Sequence, residues 1–295
     1  MSTTTCQGNS SQQAGCGQPD KMAEMQRIKE QLEMQETLYN IRHKIVVLSG
    51  KGGVGKSSVA ANLSVSLSRA GLRTGLLDTD LHGPSIPTLL GLNARIPVTD
   101  EKRIEPASFS DTLKVMSVGL LLDDQSEALV WRGPAKHGVI KELLGSVTWG
   151  ELDYLIVDCP PGTGDEPLSI IQLLQNVDGA IIVTTPQDLA VVDVRKSVTF
   201  CRHLNLPVIG VVENMSGYAC PHCGKSVDIF KSGGGEKMAA EMGIPFLGRI
   251  PLDPAMVSAG DEGKPCVGQT GDSPAAVAME EIFTKVRAFA AENAK

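Results

Sequence analysis

The stretch that most restricts this chain is residues 45–58, Ile-Val-Val-Leu-Ser-Gly-Lys-Gly-Gly-Val-Gly-Lys-Ser-Ser. Ile45 to Leu48 is a short apolar run of the kind that forms a buried strand. Gly50 to Gly55 then turns the chain into a helical pattern from Val59 onward. This is G-x-x-x-x-G-K-[ST] in its strand–loop–helix context. Glycines let successive backbone N–H groups converge on phosphate oxygens, and the helix N-terminus adds its positive end. Gly50, Lys51, Gly52, Gly53, Val54, Gly55, Lys56, Ser57 and Ser58 are therefore expected to cradle a nucleotide. Lys56 is expected to reach the β- and γ-phosphates, and the Ser57 hydroxyl to ligate Mg²⁺. A glycine-rich turn with a chance lysine is the alternative, and the flanking strand and helix count against it.

The rest of the chain repeats the strand–helix alternation. Apolar runs at 74–78, 113–118, 154–157, 179–184, 208–212 and 246–250 read as strands. Helical patterns read at 57–70, 86–91, 134–147, 188–203 and 273–291, the first stopped by Gly71. The expected fold class is α/β, a doubly wound, mostly parallel sheet flanked by helices. At 295 residues there is enough chain for one large domain. We place it at 43–295, with an insert at 215–235. Ahead of it lie a Ser-, Thr- and Gln-rich flexible tail over 1–20, holding Cys6 and Cys16, and a helix over 21–42. In that helix Met22, Met25, Ile28 and Leu32 recur at near-helical spacing.

Two strands end in acid. Thr74 to Asp78 runs into Asp78-Thr79-Asp80, and Tyr154 to Val157 into Asp158. Carboxylates at the carboxyl ends of parallel strands lie where such sheets bind ligands. Asp158 follows the Walker B pattern and is expected near Mg²⁺. Of Asp78 and Asp80, one can hold Mg²⁺ through water and the other can orient an attacking water; we assign the first role to Asp78 and the second to Asp80. Helix capping by Asp80 is the alternative. The stiff Pro160-Pro161-Gly162 turn after Asp158 offers a glycine N–H to a γ-phosphate. Cys159 reads as a small buried residue.

The insert carries a second chemistry. Cys220-Pro221-His222-Cys223-Gly224 is a C-x-x-C knuckle, able to grip one ion or one cluster edge. A thioredoxin-type redox pair needs a strand–helix junction, whereas this pair lies in a polar loop. Two unused thiols are the remaining alternative. One knuckle gives two ligands where zinc or an iron–sulfur cluster wants four, and no second C-x-x-C exists in the chain. A twofold homodimer supplies the missing pair, because an isologous interface sets a residue against its own copy. Thiolate spacing does not separate zinc from iron–sulfur.

The loop GKGGVGKS resembles the deviant Walker A phosphate loop of the MinD/ParA and nitrogenase-iron-protein ATPases. That resemblance implies a nucleotide-sandwich homodimer in which Lys51 reaches the partner's nucleotide. Five ordered motifs, GKGGVGKS, LDTDLHGPSIP, VDCPPGTGDE, VENMSGYACPHCG and GRIPLDP, extend the resemblance from about residue 40 to 290. Together they are similar to the Mrp/ApbC family of iron–sulfur-carrier ATPases. The family implies ATP binding with slow hydrolysis, and a labile 4Fe–4S cluster bridged between subunits by Cys220 and Cys223 of each. It also implies delivery of that cluster to apo iron–sulfur proteins, and adenine contacts from Asn214, Pro251 and Asp253. The tail departs from the four-cysteine N-terminal motif of the eukaryotic branch, with only Cys6 and Cys16.

Composition excludes other classes. The formal net charge of −7 argues against bulk binding to nucleic acid or an anionic membrane. No run of eighteen apolar residues exists, and residues 1–17 lack the apolar core of a signal peptide. A cytoplasmic location is expected, with seven cysteines that are free, metal-bound or redox-active rather than a disulfide framework. Two other ATPase readings compete. A MinD/ParA-type positioning ATPase needs a basic amphipathic C-terminal helix or a basic DNA face. Here Lys285, Arg287 and Lys295 are balanced by Glu280, Glu281 and Glu292. A zinc-stabilised regulatory ATPase is the other.

Overall fold

A computed structural model describes residues 18–93, 95–96, 103–121, 133–219, 223, 225–268 and 273–293. The expected tail, with Cys6 and Cys16, lies outside the described residues up to position 17, as do Cys220 and His222.

In chain order the elements are α1 (Gln18–Tyr39), β1 (Ile41–Ser49), α2 (Lys56–Arg69), β2 (Thr74–Asp78), α3 (Ile86–Leu89), β3 (Ala107–Ser108), β4 (Leu113–Ser117), α4 (Gly133–Gly145), β5 (Leu152–Asp158), α5 (Asp165–Leu174), β6 (Gly179–Thr184), α6 (Asp188–His203), β7 (Val208–Ala219), β8 (Ser226–Val227), α7 (Gly234–Met242), β9 (Phe246–Leu252), α8 (Pro254–Asp261) and α9 (Pro274–Glu292). The strands form one sheet in the order β3-β4-β2-β5-β1-β6-β7-β8, with β9 also paired to β7. All pairs are parallel except the short β3 on β4 and β8 on β7.

Central parallel strands are covered on both faces, so they read as unbroken apolar runs rather than alternating ones. In β1, Val46 and Leu48 pack with Met34 of α1, Ile140 of α4, Ile170 of α5 and Val194 of α6. Ile45 and Val47 point the other way, to Leu63 of α2 and Met279 and Phe283 of α9. Burying one such side chain contributes about 1.5–3 kcal/mol. The two clusters lock the sheet between helical layers and hold the carboxyl ends of β1, β2, β5, β6 and β7 in register.

Several boundaries differ from the sequence reading. The N-terminal helix spans Gln18–Tyr39 rather than 21–42, because Ile41 to Lys44 are drawn into the β1 ladder, with Ile41 opposite Leu152. Met22, Met25, Ile28 and Leu32 are exposed. The packed face is Met34 and Leu38, where a side chain at Gly145 of α4 would sit 3.4 Å from Met34 Cβ. The insert at 215–235 is not all loop: β7 runs on to Ala219 and α7 starts at Gly234.

Candidate functional site

The phosphate-loop sequence leaves β1 at Ser49 and re-enters structure at Lys56, the first residue of α2. Gly53 and Gly55 take φ of 78° and 82°, left-handed values that side chains resist, so the glycines permit the curl. A Cβ on Gly53 would meet nothing within 4 Å among the described residues, so its backbone conformation, not crowding, is what requires glycine there. Gly55 is the N-cap of α2 and supplies no side-chain cap, so the first N–H groups of that helix face the loop.

Lys56 closes the floor. Its Nζ lies 2.6 Å from Asp158 Oδ1 at the end of β5 and 3.3 Å from Ser57 Oγ. Both charges are buried, and Asp158 Oδ2 has no hydrogen-bond partner among the described residues. A buried carboxylate oxygen without a donor calls for a cation or water. Ser57 Oγ and Asp158 thus converge with one open acceptor, a donor set of hard oxygens that fits Mg²⁺. Burial pushes the Asp158 carboxyl up, opposed by the Lys56 charge and the Ser57 hydroxyl.

Asp78 stands beside Asp158 in the β2–β5 ladder. It is fully occupied: Oδ1 accepts the Asp80 amide at 3.1 Å, and Oδ2 accepts Ser117 Oγ at 3.0 Å and the Ile86 amide at 3.4 Å. Burial first and the Asp158 charge second push its carboxyl up to about 8. Asp80 is half-buried and accepts the Gly83 amide at 3.3 Å; it caps no helix, since Ser85 precedes α3. The Gly162 N–H donates to Ser49 O at 2.8 Å instead of pointing at an open site. Cys159 is buried, and burial raises its thiol far above the ordinary value, as expected of a packing residue.

Asn214, at the end of β7, is brought to the loop. Its Nδ2 donates to Val54 O at 2.9 Å, and a Cβ on Gly55 would fall 2.2 Å from it. Gly50 is pressed against α6, where a Cβ would lie 2.5 Å from the Asp193 carbonyl carbon. Lys51, next to it, is half-buried. Asp253 has a structural partner set: it caps α8 through the Ala255 amide at 2.9 Å and accepts from Ser273 Oγ. Pro251 lies in β9, two residues before it.

In the insert, Cys223 is exposed with a free thiol. Cys220 lies outside the described residues. Among the described residues no group of three or more His, Cys, Asp or Glu side chains is gathered to hold a metal. Cys201 and Cys266 are buried, and burial raises both thiols, to about 12 and about 11.

Sequence reasoning missed Glu213. It stands beside Asn214, is completely buried, and binds the amides of Gly233 and Gly235. Its signal was an acid closing an otherwise apolar strand, as at Asp78 and Asp158.

A family model described as "NUBPL iron-transfer P-loop NTPase" (ParA) matches residues 40–287. The chain belongs to that family. The chain is 52% identical over 235 residues to the iron-sulfur cluster carrier protein of Methanocaldococcus jannaschii, covering 80% of this chain and 81% of that one. It is 47% identical to a cytosolic Fe-S cluster assembly factor of Homo sapiens, over 84% of this chain and 93% of that one. Among solved structures, a nucleotide-binding protein from Archaeoglobus fulgidus in complex with ADP superposes with a TM-score of 0.70 at 40% identity, covering 79% and 91% of the two chains. The septum site-determining protein MinD of Pyrococcus horikoshii, complexed with Mg-ADP, gives 0.61 at 25%, covering 86% and 99%. The expected family and fold class stand. Among the described residues no helix is long and apolar enough to cross a membrane.

Proposed function

We propose that this iron-transfer NTPase is an ATP-hydrolysing carrier that holds a labile 4Fe–4S cluster at a homodimer interface and passes it to apo iron–sulfur proteins. The observation that carries the reading is the buried Lys56–Asp158 pair, with its orphan Oδ2, at the mouth of the glycine loop. Lys56 neutralises Asp158 through their buried ion pair. On ATP binding the ammonium turns to the β- and γ-phosphates, and Asp158 is freed.

Ser57 and Asp158 would then hold Mg²⁺, with Asp78 behind them; the ion would neutralise charge on the phosphates. Asp80, less buried than Asp78, orients the attacking water. Lys51 serves the partner's nucleotide, and Asn214, Pro251 and Asp253 line the adenine side. Asn214 suits a purine edge because its amide both donates and accepts. Turnover is slow, since a carrier uses ATP to change state rather than to process substrate in bulk.

An apolar surface supports the homodimer. Leu189 and Val192 of α6 are exposed, as are Ile229 and Phe230. The Lys231–Asp188 ion pair holds that part of the insert to the start of α6, whose Asp193 contacts Gly50. Apolar residues and the outer limb of the phosphate loop thus share one flank. The cluster is cargo: Cys220 and Cys223 of each subunit supply four thiolates on the twofold axis. The carrier and assembly-factor names of the relatives support transfer to apo-proteins, and the human relative's name supports a cytosolic setting.

Anaerobically purified protein, assayed for iron, acid-labile sulfide and zinc, tests the reading. Four iron and four sulfide per dimer are expected, with release to an apo-ferredoxin-type acceptor. Stoichiometric zinc with no sulfide would establish the zinc-stabilised ATPase instead.

A further inference from the structure

Glu213 has no part in the phosphate chemistry, yet its carboxylate is completely screened from water. Such a group must have its lone pairs filled. Oε1 accepts from Ser216 Oγ and, at 2.8 Å, from the Gly233 amide; Oε2 accepts from the Gly235 amide. Arg249 Nε lies 3.6 Å from Oε1 and its Nη2 continues to Glu236. Gly233 is the N-cap of α7, with φ 84° and no side-chain cap of its own. Glu213 therefore supplies from β7 the negative charge that a helix N-terminus favours.

The donors sit at informative places in the chain. Ser216 lies where β7 leaves its register with β9, between Asn214 and Tyr218, with positive φ at Met215 and Gly217. Gly233 and Gly235 mark the point where the chain returns from the segment bearing Cys223. One carboxylate thus grips both ends of that segment. The grip is tight: a Cβ on Gly235 would lie 3.0 Å from Glu213 Oε2, and one on Gly234 would lie 2.5 Å from Pro186 O.

The preceding link is equally close. Asn214, the next residue, bonds the Val54 carbonyl inside the phosphate loop. Val54, Asn214, Glu213 and the Gly233–Gly235 turn form one continuous path from the nucleotide loop to the base of the cysteine segment. A nucleotide that rearranges Val54 and Gly55 displaces Asn214. Glu213 cannot follow unless both ends of the segment follow with it.

We propose that Glu213 is a positioning residue that ties the reactivity of the Cys223 thiol to the state of the nucleotide loop, a role that rests on nucleotide binding there. Reciprocity follows, because a nucleotide that alters the cysteine segment is itself bound differently when that segment is loaded.

The test measures alkylation of Cys223 by iodoacetamide, read by peptide mass spectrometry on metal-free, full-length protein with and without saturating Mg²⁺–ATP. Nucleotide binding is followed separately by equilibrium titration. The wild-type rate should change about fivefold or more, the lower range of ordinary coupling. In Glu213→Gln an amide NH₂ confronts a backbone N–H and cannot accept from it, so the ratio of rates should fall to near one. Gly235→Ala, which crowds Oε2, should act in the same direction and decides the matter if Glu213→Gln does not fold. A wild-type ratio near one despite bound nucleotide, or wild-type ratios retained in the folded variants, overturns the coupling. Absence of any nucleotide binding overturns the functional reading, and the coupling with it.

Discussion

Replacing Lys56 by alanine should destabilise the nucleotide-free protein by about 3–4 kcal/mol at pH 7, the cost typical of breaking a buried ion pair. Lys56 Nζ is 2.6 Å from Asp158 Oδ1, both side chains are buried, and the second oxygen of Asp158 already lacks a partner. Removing the ammonium leaves a buried charge with the Ser57 hydroxyl as its remaining side-chain donor and the Asp78 carboxyl next to it. The carboxyl then escapes by taking a proton, and this sets a ceiling. At about 1.36 kcal/mol per pH unit, protonating a carboxyl of ordinary pKa near 3.9 costs roughly 4.2 kcal/mol at pH 7 and roughly 1.5 kcal/mol at pH 5. The sign follows from linkage: in the variant the folded state holds a proton that the unfolded state has released, so its stability falls as pH rises above about 4. Urea unfolding followed by tryptophan fluorescence, with Trp149 buried in the core, measures this at both pH values relative to wild type. Combining Lys56→Met with Asp158→Asn should recover most of the lost stability, because neither side chain is then charged, while nucleotide binding stays lost. A loss under about 1 kcal/mol at pH 7, or an equal loss at both pH values, would refute the buried-pair argument.

Three further outcomes are expected. Lys51→Ala should lower ATP hydrolysis more than nucleotide affinity, because Lys51 stands at the loop's outer limb, directly after the Gly50 that packs on Asp193; an equal loss of both, measured by steady-state turnover and titration, counts against its serving the partner's site. Cys223→Ala should abolish iron retention yet shift urea stability by less than about 0.5 kcal/mol, since the side chain is exposed; a larger shift means that the thiol is structural. His43→Phe should flatten the fall in stability between pH 7 and pH 5. Burial holds His43 below its ordinary value, against the pull of Asp178 at 3.8 Å. The unfolded chain protonates first as pH drops through about 6.5, so the stability of keeping His43 neutral is complete above that value and lost below it. An unchanged slope of urea midpoint against pH would show that another group controls it.

Local chemistry made much of the fold readable. β2 and β6 fall on the expected residues, 74–78 and 179–184, and α6 on 188–203, because continuous apolar runs and a clean helical period leave few other outcomes. α5, α7 and α8 were not read. α7 starts at Gly233-Gly234-Gly235, which by composition is a turn. Gly233 takes φ of 84°, while at Gly234 and Gly235 a Cβ would crowd the Pro186 carbonyl and the Glu213 carboxylate, a requirement that arises 20 or more residues away. Met22, Met25, Ile28 and Leu32 misled for the converse reason. Helical spacing shows which residues share a stripe, but α4 decides which stripe is covered, and it covers Met34 and Leu38.

The sequence by itself determined the glycine loop, the strand–helix alternation and the acids closing β2 and β5. Each depends on the conformational freedom or polarity of residues within a few positions of one another. Only the tertiary structure decided which of those acids does what. Asp158 meets Lys56 across 102 positions of chain, while Asp78 is occupied by Ser117 and two amides. Glu213 closes the base of the cysteine segment, and Asn214 turns its amide onto Val54. These partners follow from strand order and register, which arise from two-sided packing of the whole sheet, so no window of sequence contains them.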